Sequence, residues 1–375
     1  MDMPSGILHR KLSPEVLAST KVKSLPLEYN PCSQGLCTPV LNQRVPQFCD
    51  SGWAHAAVSS IGDRVARKRK QDNDDHGPKI TLSTQHILNC PLVYHDDAGS
   101  SAGSCNGGGD ATSAYRLIKE RYSTVVEDDP MSGYGLSYFT DVPYIACSVD
   151  STQGFCSVPD VQQLLTCTPL NIARTCSTFT EEGGNCSAIT LYPNVKLADY
   201  GQVRGREEIK AEIFNNGPVS CGIDADPLRN YSTGIISNRG QSINHVVSVV
   251  GWGTNADTNT EYLVARNSWG VSWGEAGFFR LEYEALMLDT VPCAFGVVKS
   301  YTVADNEVHF SEDGVQMDKD PKRDSDTALS ITNIVLILLG GVLLLSVGGL
   351  YMCSRWLKNR TARTGDGYSA VPELS

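Results

Sequence analysis

Twelve cysteines lie between Cys32 and Cys293, and a thirteenth, Cys353, stands apart at the end of a long apolar run. An even set of this size within one stretch confines the chain to a disulfide framework in an oxidising compartment. The competing use of so many thiols is zinc. No pair of Cys-x-x-Cys or Cys/His clusters with finger spacing occurs, so no metal is expected, and no cofactor. The 375 residues are 41% hydrophobic, enough for two or three folded units or one enzyme-sized domain. The 31 Lys and Arg against 42 Asp and Glu leave a net charge of −11. No basic face is available for phosphates, which argues against a nucleic-acid partner.

The apolar run bounds the other end. From Thr327 to Ser354 there is no charged residue, and about 20 apolar residues suffice to cross a bilayer as a helix. A single span over 329–354 is expected. Arg355, Lys358, Arg360 and Arg363 follow it, whereas acids and bases are mixed before it. The positive-inside rule then puts the tail, 355–375, in the cytosol and the large domain in a lumen or outside the cell. Residues 304–328 are charged and poor in large apolar side chains, as in a stalk. Residues 1–24 read as a leader or a pro-segment remnant, yet they hold no apolar signal core. Either a signal precedes this sequence, or the chain inserts by its tail and the large domain is cytosolic; the cysteine count favours the first. Asn185-Cys-Ser and Asn230-Tyr-Ser are glycan acceptors on the large domain, and Asn359-Arg-Thr is one on the tail. In the tail, Tyr368 and Val371 form a Tyr-x-x-apolar pattern that resembles a lysosomal or endocytic sorting signal, so sorting adaptors are candidate partners. Cys353, at the membrane edge, is a candidate for palmitoylation.

The body between these ends starts helical and turns to strand. Trp53, Ala57, Ile61 and Val65 recur every fourth residue, which predicts a helix from Asp50 with Asp50 or Ser51 as its cap. Arg67 to Lys70 would end it, suited to the helix dipole. Shorter helices are expected over 85–90, 110–121 and 207–215, the last stopped by Asn216-Gly217-Pro218. After Pro218, residues 219–223, 246–250, 262–266 and 278–283 read as strands bounded by glycine turns. Helices first and strands second make an α+β, two-lobed protein.

Three segments carry chemistry. They are Asn42-Gln43-Arg44-Val45-Pro46-Gln47-Phe48-Cys49-Asp50-Ser51-Gly52-Trp53-Ala54-His55, then Asn244-His245-Val246 through Gly251-Trp252-Gly253, then Asn267-Ser268-Trp269-Gly270. In this order and spacing they resemble the papain family of cysteine peptidases. The resemblance implies the papain-like fold, a helical lobe and a β-barrel-like lobe, over residues 25–303. A three-residue insertion, Arg44-Val45-Pro46, and the following His55 resemble a lysosomal carboxypeptidase branch of that family.

The resemblance also implies roles. His245 matches the histidine that activates the nucleophile, Asn267 the residue that orients it, and Gln43 the oxyanion-hole donor, with Gln47 a weaker candidate. Trp269 matches the tryptophan over the His–Asn pair. Gly107 and Gly108 match a loop whose backbone pairs with substrate. Cys49 is expected to bond with Cys105 and Cys221 with Cys293, and Cys90 with a cysteine in the Cys147–Cys186 stretch. Arg44 stands where the branch has a histidine that holds the substrate's terminal carboxylate. Arg44 can bind a carboxylate by its planar fork, or it can form a salt bridge with Asp50.

One part is absent. The family's catalytic cysteine falls on Gly52, which has no side chain to form an acyl-enzyme. Ser51 is about 100° round the helix and should face elsewhere, and Cys49 is committed to a disulfide. Asp50 replaces a family glycine, and its carboxylate would repel substrate carbonyls and raise a thiolate's pKa. The expected function is an inactive homologue that binds peptides or proteins in the old cleft. The alternatives are an active cysteine-type peptidase, if position 52 is an artefact or another group substitutes, and a surface protein whose cleft is idle.

Overall fold

The computed structural model describes residues 25–73, 79–93, 100–125, 127, 129–177, 184–189 and 191–302, with short pieces at 309–310, 316–317 and 350–357. The expected leader, most of the stalk, the apolar run as far as residue 349 and the tail from 358, with Tyr368 and Val371, lie outside the described residues. Among the described residues no helix is long and apolar enough to cross a membrane. The described residues up to 316 form one compact unit. In the other unit, residues 350–357 are helical.

The long helix α1 spans Gly52–Gln71. Trp53, Ala57, Ile61 and Val65, the periodic positions, are all buried. Lys68, Arg69 and Lys70 occupy its last turn, where positive charge meets the carbonyl end of the dipole. The expected N-terminal cap is corrected. Ser51 holds the cap position, but its side chain makes no capping bond. Its hydroxyl lies instead 2.7 Å from Tyr144 Oη and 3.3 Å from His55 Nδ1. Helix α2 (Thr84–Asn89) is capped by Ser83 Oγ, which accepts from the His86 amide. Asp110 caps α3 (Ala111–Leu117) in the same way through Ser113. The chain then widens into a π-turn over Ile118–Tyr122. Helix α4 (Arg206–Asn215) ends before Gly217-Pro218.

Eight strands form the main sheet: β1 (Leu136–Ser137), β2 (Asn194–Val203), β3 (Val219–Ile223), β4 (Ile235–Ile236), β5 (His245–Thr254), β6 (Glu261–Arg266), β7 (Phe278–Leu281) and β8 (Cys293–Tyr301). Their order across the sheet is β4-β7-β6-β5-β3-β8-β2-β1. β5 lies between β6 and β3, both antiparallel to it, with His245 opposite Ile223. β2 and β8, the pair not expected from sequence, run antiparallel along nearly their whole lengths.

Two cores result. One gathers Trp53, Ile61, Leu88, Tyr115, Leu117 and Leu197 around the helices. The other gathers Val219, Val249, Trp252, Trp269 and Phe279 on the sheet. Ion pairs buried between elements tie them together. Arg64 Nη2 lies 2.8 Å from Glu212 Oε1, and Arg266 Nη2 lies 2.7 Å from Asp63 Oδ2. The disulfides are Cys32–Cys37, Cys49–Cys105, Cys90–Cys167, Cys147–Cys156, Cys176–Cys186 and Cys221–Cys293. They include the two pairs, and the partner region for Cys90, that the family resemblance implies. Cys353 is free and exposed.

Candidate active site

Gly52 opens α1, with Cys49 held to Cys105 just ahead of it. Facing it is His245, the first residue of β5. Asn267 directly follows β6. Gln43 comes from the incoming loop, which is stitched to the Asn267 loop by backbone bonds, Gln43 N–H to Ser268 O at 2.8 Å and Gly270 N–H to Leu41 O at 3.1 Å. Gly52, His245, Asn267, Gln43 and Trp269 are therefore brought together from four separate segments.

The hydrogen bonds fix the chemistry of the pair. Asn267 Oδ1 accepts from the Ser268 amide at 2.8 Å, which sets the orientation of the side-chain amide. His245 Nε2–H then donates to the same oxygen at 2.9 Å. The other ring nitrogen, Nδ1, is left as a lone pair on the side of Gly52. Trp269 stacks on the imidazole, with centroids 5.4 Å apart. Ser268 Oγ–H donates to Gln43 Oε1, and Gln43 Nε2–H donates to Cys49 O at 3.2 Å.

The nucleophile position is not merely empty. A Cβ built on Gly52 would lie 2.5 Å from His245 Nδ1, closer still to Cε1, and 3.0 Å from Gln43 Oε1. The imidazole takes the space that a side chain at 52 would occupy. Ser51 is fully buried and points to Tyr144, away from His245. Cys49 is consumed in its disulfide. No thiol or hydroxyl stands beside His245 among the described residues.

The surroundings differ in part from what the sequence suggests. Arg44 makes no ion pair with Asp50; its guanidinium lies over the Trp269 ring at 4.0 Å. Arg44 is exposed. Asp50 Oδ2 would be 3.1 Å from a Cβ on Gly108. Gly108 has φ +62°, a conformation that suits glycine. The Asp50 carboxylate therefore sits against the Gly107–Gly108 loop, and burial pushes its pKa up. Ser104 Oγ holds the Gly107 amide at 2.9 Å. Gln47 turns away, its Nε2 donating to Ala146 O at 3.3 Å. Asn185 lies on a short hairpin paired with residues 174–177, and Asn230 is exposed after β3. Tyr144 and Ser268 were not singled out from sequence. Tyr144 Oη–H donates to Gln43 O at 2.8 Å. Ser268 could have been read from its place between Asn267 and Trp269.

Burial pushes His245 down to about 4; its bond to Asn267 opposes this and the charge of Arg44 adds to it. His55 is likewise held at about 4 by burial, against the pull of the Ser51 carbonyl and with the nearby His245 adding to the effect. His86 is held at about 3, by burial and then by the positive charge of Arg121. Each is neutral in the fold and binds a proton more readily when unfolded. Their stabilisation is complete above pH 6.5 and is lost as pH falls from there towards about 4. Thermal melting followed from pH 7 to 4.5 should show a fall beginning near 6.5, each group contributing up to about 1.4 kcal/mol per pH unit. Burial raises Asp141 to about 6, which opposes this fall below pH 6, so a profile that stays flat in Asp141→Asn would show that these histidines are not buried neutral.

Residues 25–294 match the sequence model described as papain family cysteine protease. The chain belongs to the papain family. Among curated relatives, a cathepsin Z of Onchocerca volvulus is 30% identical over 243 residues, covering 64% of this chain and 63% of that protein. A viral cathepsin of Autographa californica nuclear polyhedrosis virus is 29% identical over 264 residues, covering 68% and 59%. The chain thus spans about three fifths of the length of these relatives. The solved structure of the bromelain protease from Ananas comosus in complex with the E64 inhibitor has a TM-score of 0.49 at 21% identity, covering 73% of this chain and all of that one. Cathepsin Z is also called cathepsin X.

Proposed function

We propose that this chain is a membrane-anchored, cathepsin X-like member of the papain family that binds peptides or proteins in its cleft without cleaving them. The observation that carries the reading is position 52. It has no side chain, and His245 fills the space where one would begin. Covalent catalysis needs an activated thiolate beside the imidazole. The rest of the cleft remains: the Gly107–Gly108 loop, Trp269, and Arg44 stacked above it without an ion pair among the described residues. A guanidinium so placed matches a substrate's terminal carboxylate. The uncharged run over 329–354 with its basic flank supports a single membrane span. The large domain then lies in an endolysosomal lumen or at the cell surface, with a glycan at Asn230.

Peptide binding tests the reading. A free-acid peptide should bind the full chain at least about tenfold more tightly than its C-terminal amide, the worth of one charge-assisted pair. Equal affinity would remove Arg44 as the anchor. No binding of either would leave the structural role. A thiol-directed epoxide should leave the natural chain unlabelled at the cleft, and labelling there would restore the active-peptidase reading.

A further inference from the structure

Beside Asn267 is a small, partly open pocket of about 10 Å³, lined by His55, Ala56, Ser59, Val246, Arg266 and Asn267 among others. It has room for about one water molecule. His55, Arg266 and Asn267 are 2–3% exposed. Each has one buried polar atom without a partner in the protein: His55 Nε2, Arg266 Nε and Asn267 Nδ2.

The remaining atoms of these side chains fix what the three can do. Asn267 Oδ1 is taken by His245 and Ser268, so Nδ2 is a donor. Arg266 Nη1 donates to Thr38 O and Nη2 to Asp63, so Nε–H is a second donor. His55 Nδ1 lies 3.0 Å from the Ser51 carbonyl. A carbonyl only accepts, so Nδ1 carries the proton and Nε2 is a lone pair. Two donors and one acceptor thus line a space of one water. A small cation would face two donors, and an anion would face the imidazole lone pair. Water accepts twice and donates, and it fits all three.

We propose that one buried water binds this cavity, accepting from Asn267 Nδ2 and Arg266 Nε and donating to His55 Nε2. His55 is then a positioning residue. Through the water it holds the Asn267 amide, and Asn267 holds the His245 ring with Nδ1 towards position 52. The inference rests on the cavity and its lining, and it stands whether or not the chain cleaves or binds peptides.

Two measurements on the full chain test it. A high-resolution crystal structure should show a density peak about 2.7–3.2 Å from all three atoms; a dry cavity would overturn the site. Nitrogen-15 NMR of the histidine side chains should find His55 protonated at Nδ1 only and the His245 Nε2 proton protected from exchange. In His55→Phe that proton should exchange about tenfold faster, the factor expected for one lost hydrogen bond. His55→Gln, whose carbonyl can accept from the water, should recover protection to within about threefold. Equal protection in all three chains, or equal loss in both variants, would reduce His55 to a packing residue. If the Phe variant fails to fold, the density and the Gln variant still decide.

Discussion

On the proposed reading, Gly52→Cys should turn this chain into a peptidase, with hydrolysis of a small peptide at mildly acidic pH rising by about a thousandfold or more. The reason is that one atom group is missing and its partners are in place. Asn267 fixes the tautomer of His245, and Nδ1 faces residue 52. A thiolate there would raise the imidazole's pKa from about 4, as opposite charges stabilise each other. The helix start adds its positive end. The new Cβ would crowd the ring at 2.5 Å, so His245 must step back while keeping Asn267 and Trp269. Overpacking of this kind costs about 1–3 kcal/mol. Activity should therefore appear together with a lower melting temperature. Gly52→Ala is the control: it should lose stability similarly and gain no activity. Comparable cleavage by the natural chain would place the nucleophile elsewhere. Silence in the cysteine variant would mean that His245 cannot retreat, or that Asp50 bars the cleft.

Asp63→Ala should cost about 3–5 kcal/mol, the scale of a buried ion pair losing one partner. Unfolding followed by heat should shift down by roughly 6–20 °C. The Asp63 carboxylate accepts from Arg266 Nη2 at 2.7 Å, from the Thr38 amide at 2.7 Å and from Thr38 Oγ1 at 2.8 Å. It thereby joins α1, β6 and the incoming segment, and Arg266 precedes Asn267 directly. Without it a guanidinium is left buried with no counter-charge. Asp72→Ala, which breaks an exposed pair with Lys68 in the same helix, should change stability by less than about 0.5 kcal/mol. A loss below about 1 kcal/mol at Asp63 would show that water reaches the pair.

Much of the site was legible because its parts sit in short runs with distinctive neighbours. His245 opens a strand of hydrophobic residues, and Asn267 precedes Ser268 and Trp269. The helix from Gly52 was legible from its four-residue apolar repeat. β2 and β8 were not. In β2, Val195 and Leu197 are buried but Asp199, Tyr200 and Gly201 break the alternation. In β8 four consecutive residues are buried before the strand turns outward. Neither pattern has a clean period, because each strand is set by its neighbour across the sheet. The Ser51 cap failed because a distant phenol, Tyr144, and the imidazole of His55, one turn on in the same helix, compete for its hydroxyl. The crowding of His245 against Gly52 is set by how closely two segments distant in sequence approach, which no local pattern encodes.

The crosslinks also decide how the chain responds to load. Cys49–Cys105 and Cys90–Cys167 overlap. A pull on the backbone cannot pay out the 167 − 49 = 118 residues between the outer cysteines. It passes through one bond, back along 105 − 90 = 15 residues, and out through the other. Cys221–Cys293 hides a further 72. A chain pulled between its two ends would yield β8 beyond Cys293 and then the segment between Cys167 and Cys221, which carries β2 and α4 outside both locked loops. Gly52 lies in the first locked loop and His245 and Asn267 in the second, so the two sides of the cleft would part at that segment, while each loop stays shielded from the load until its disulfides are reduced.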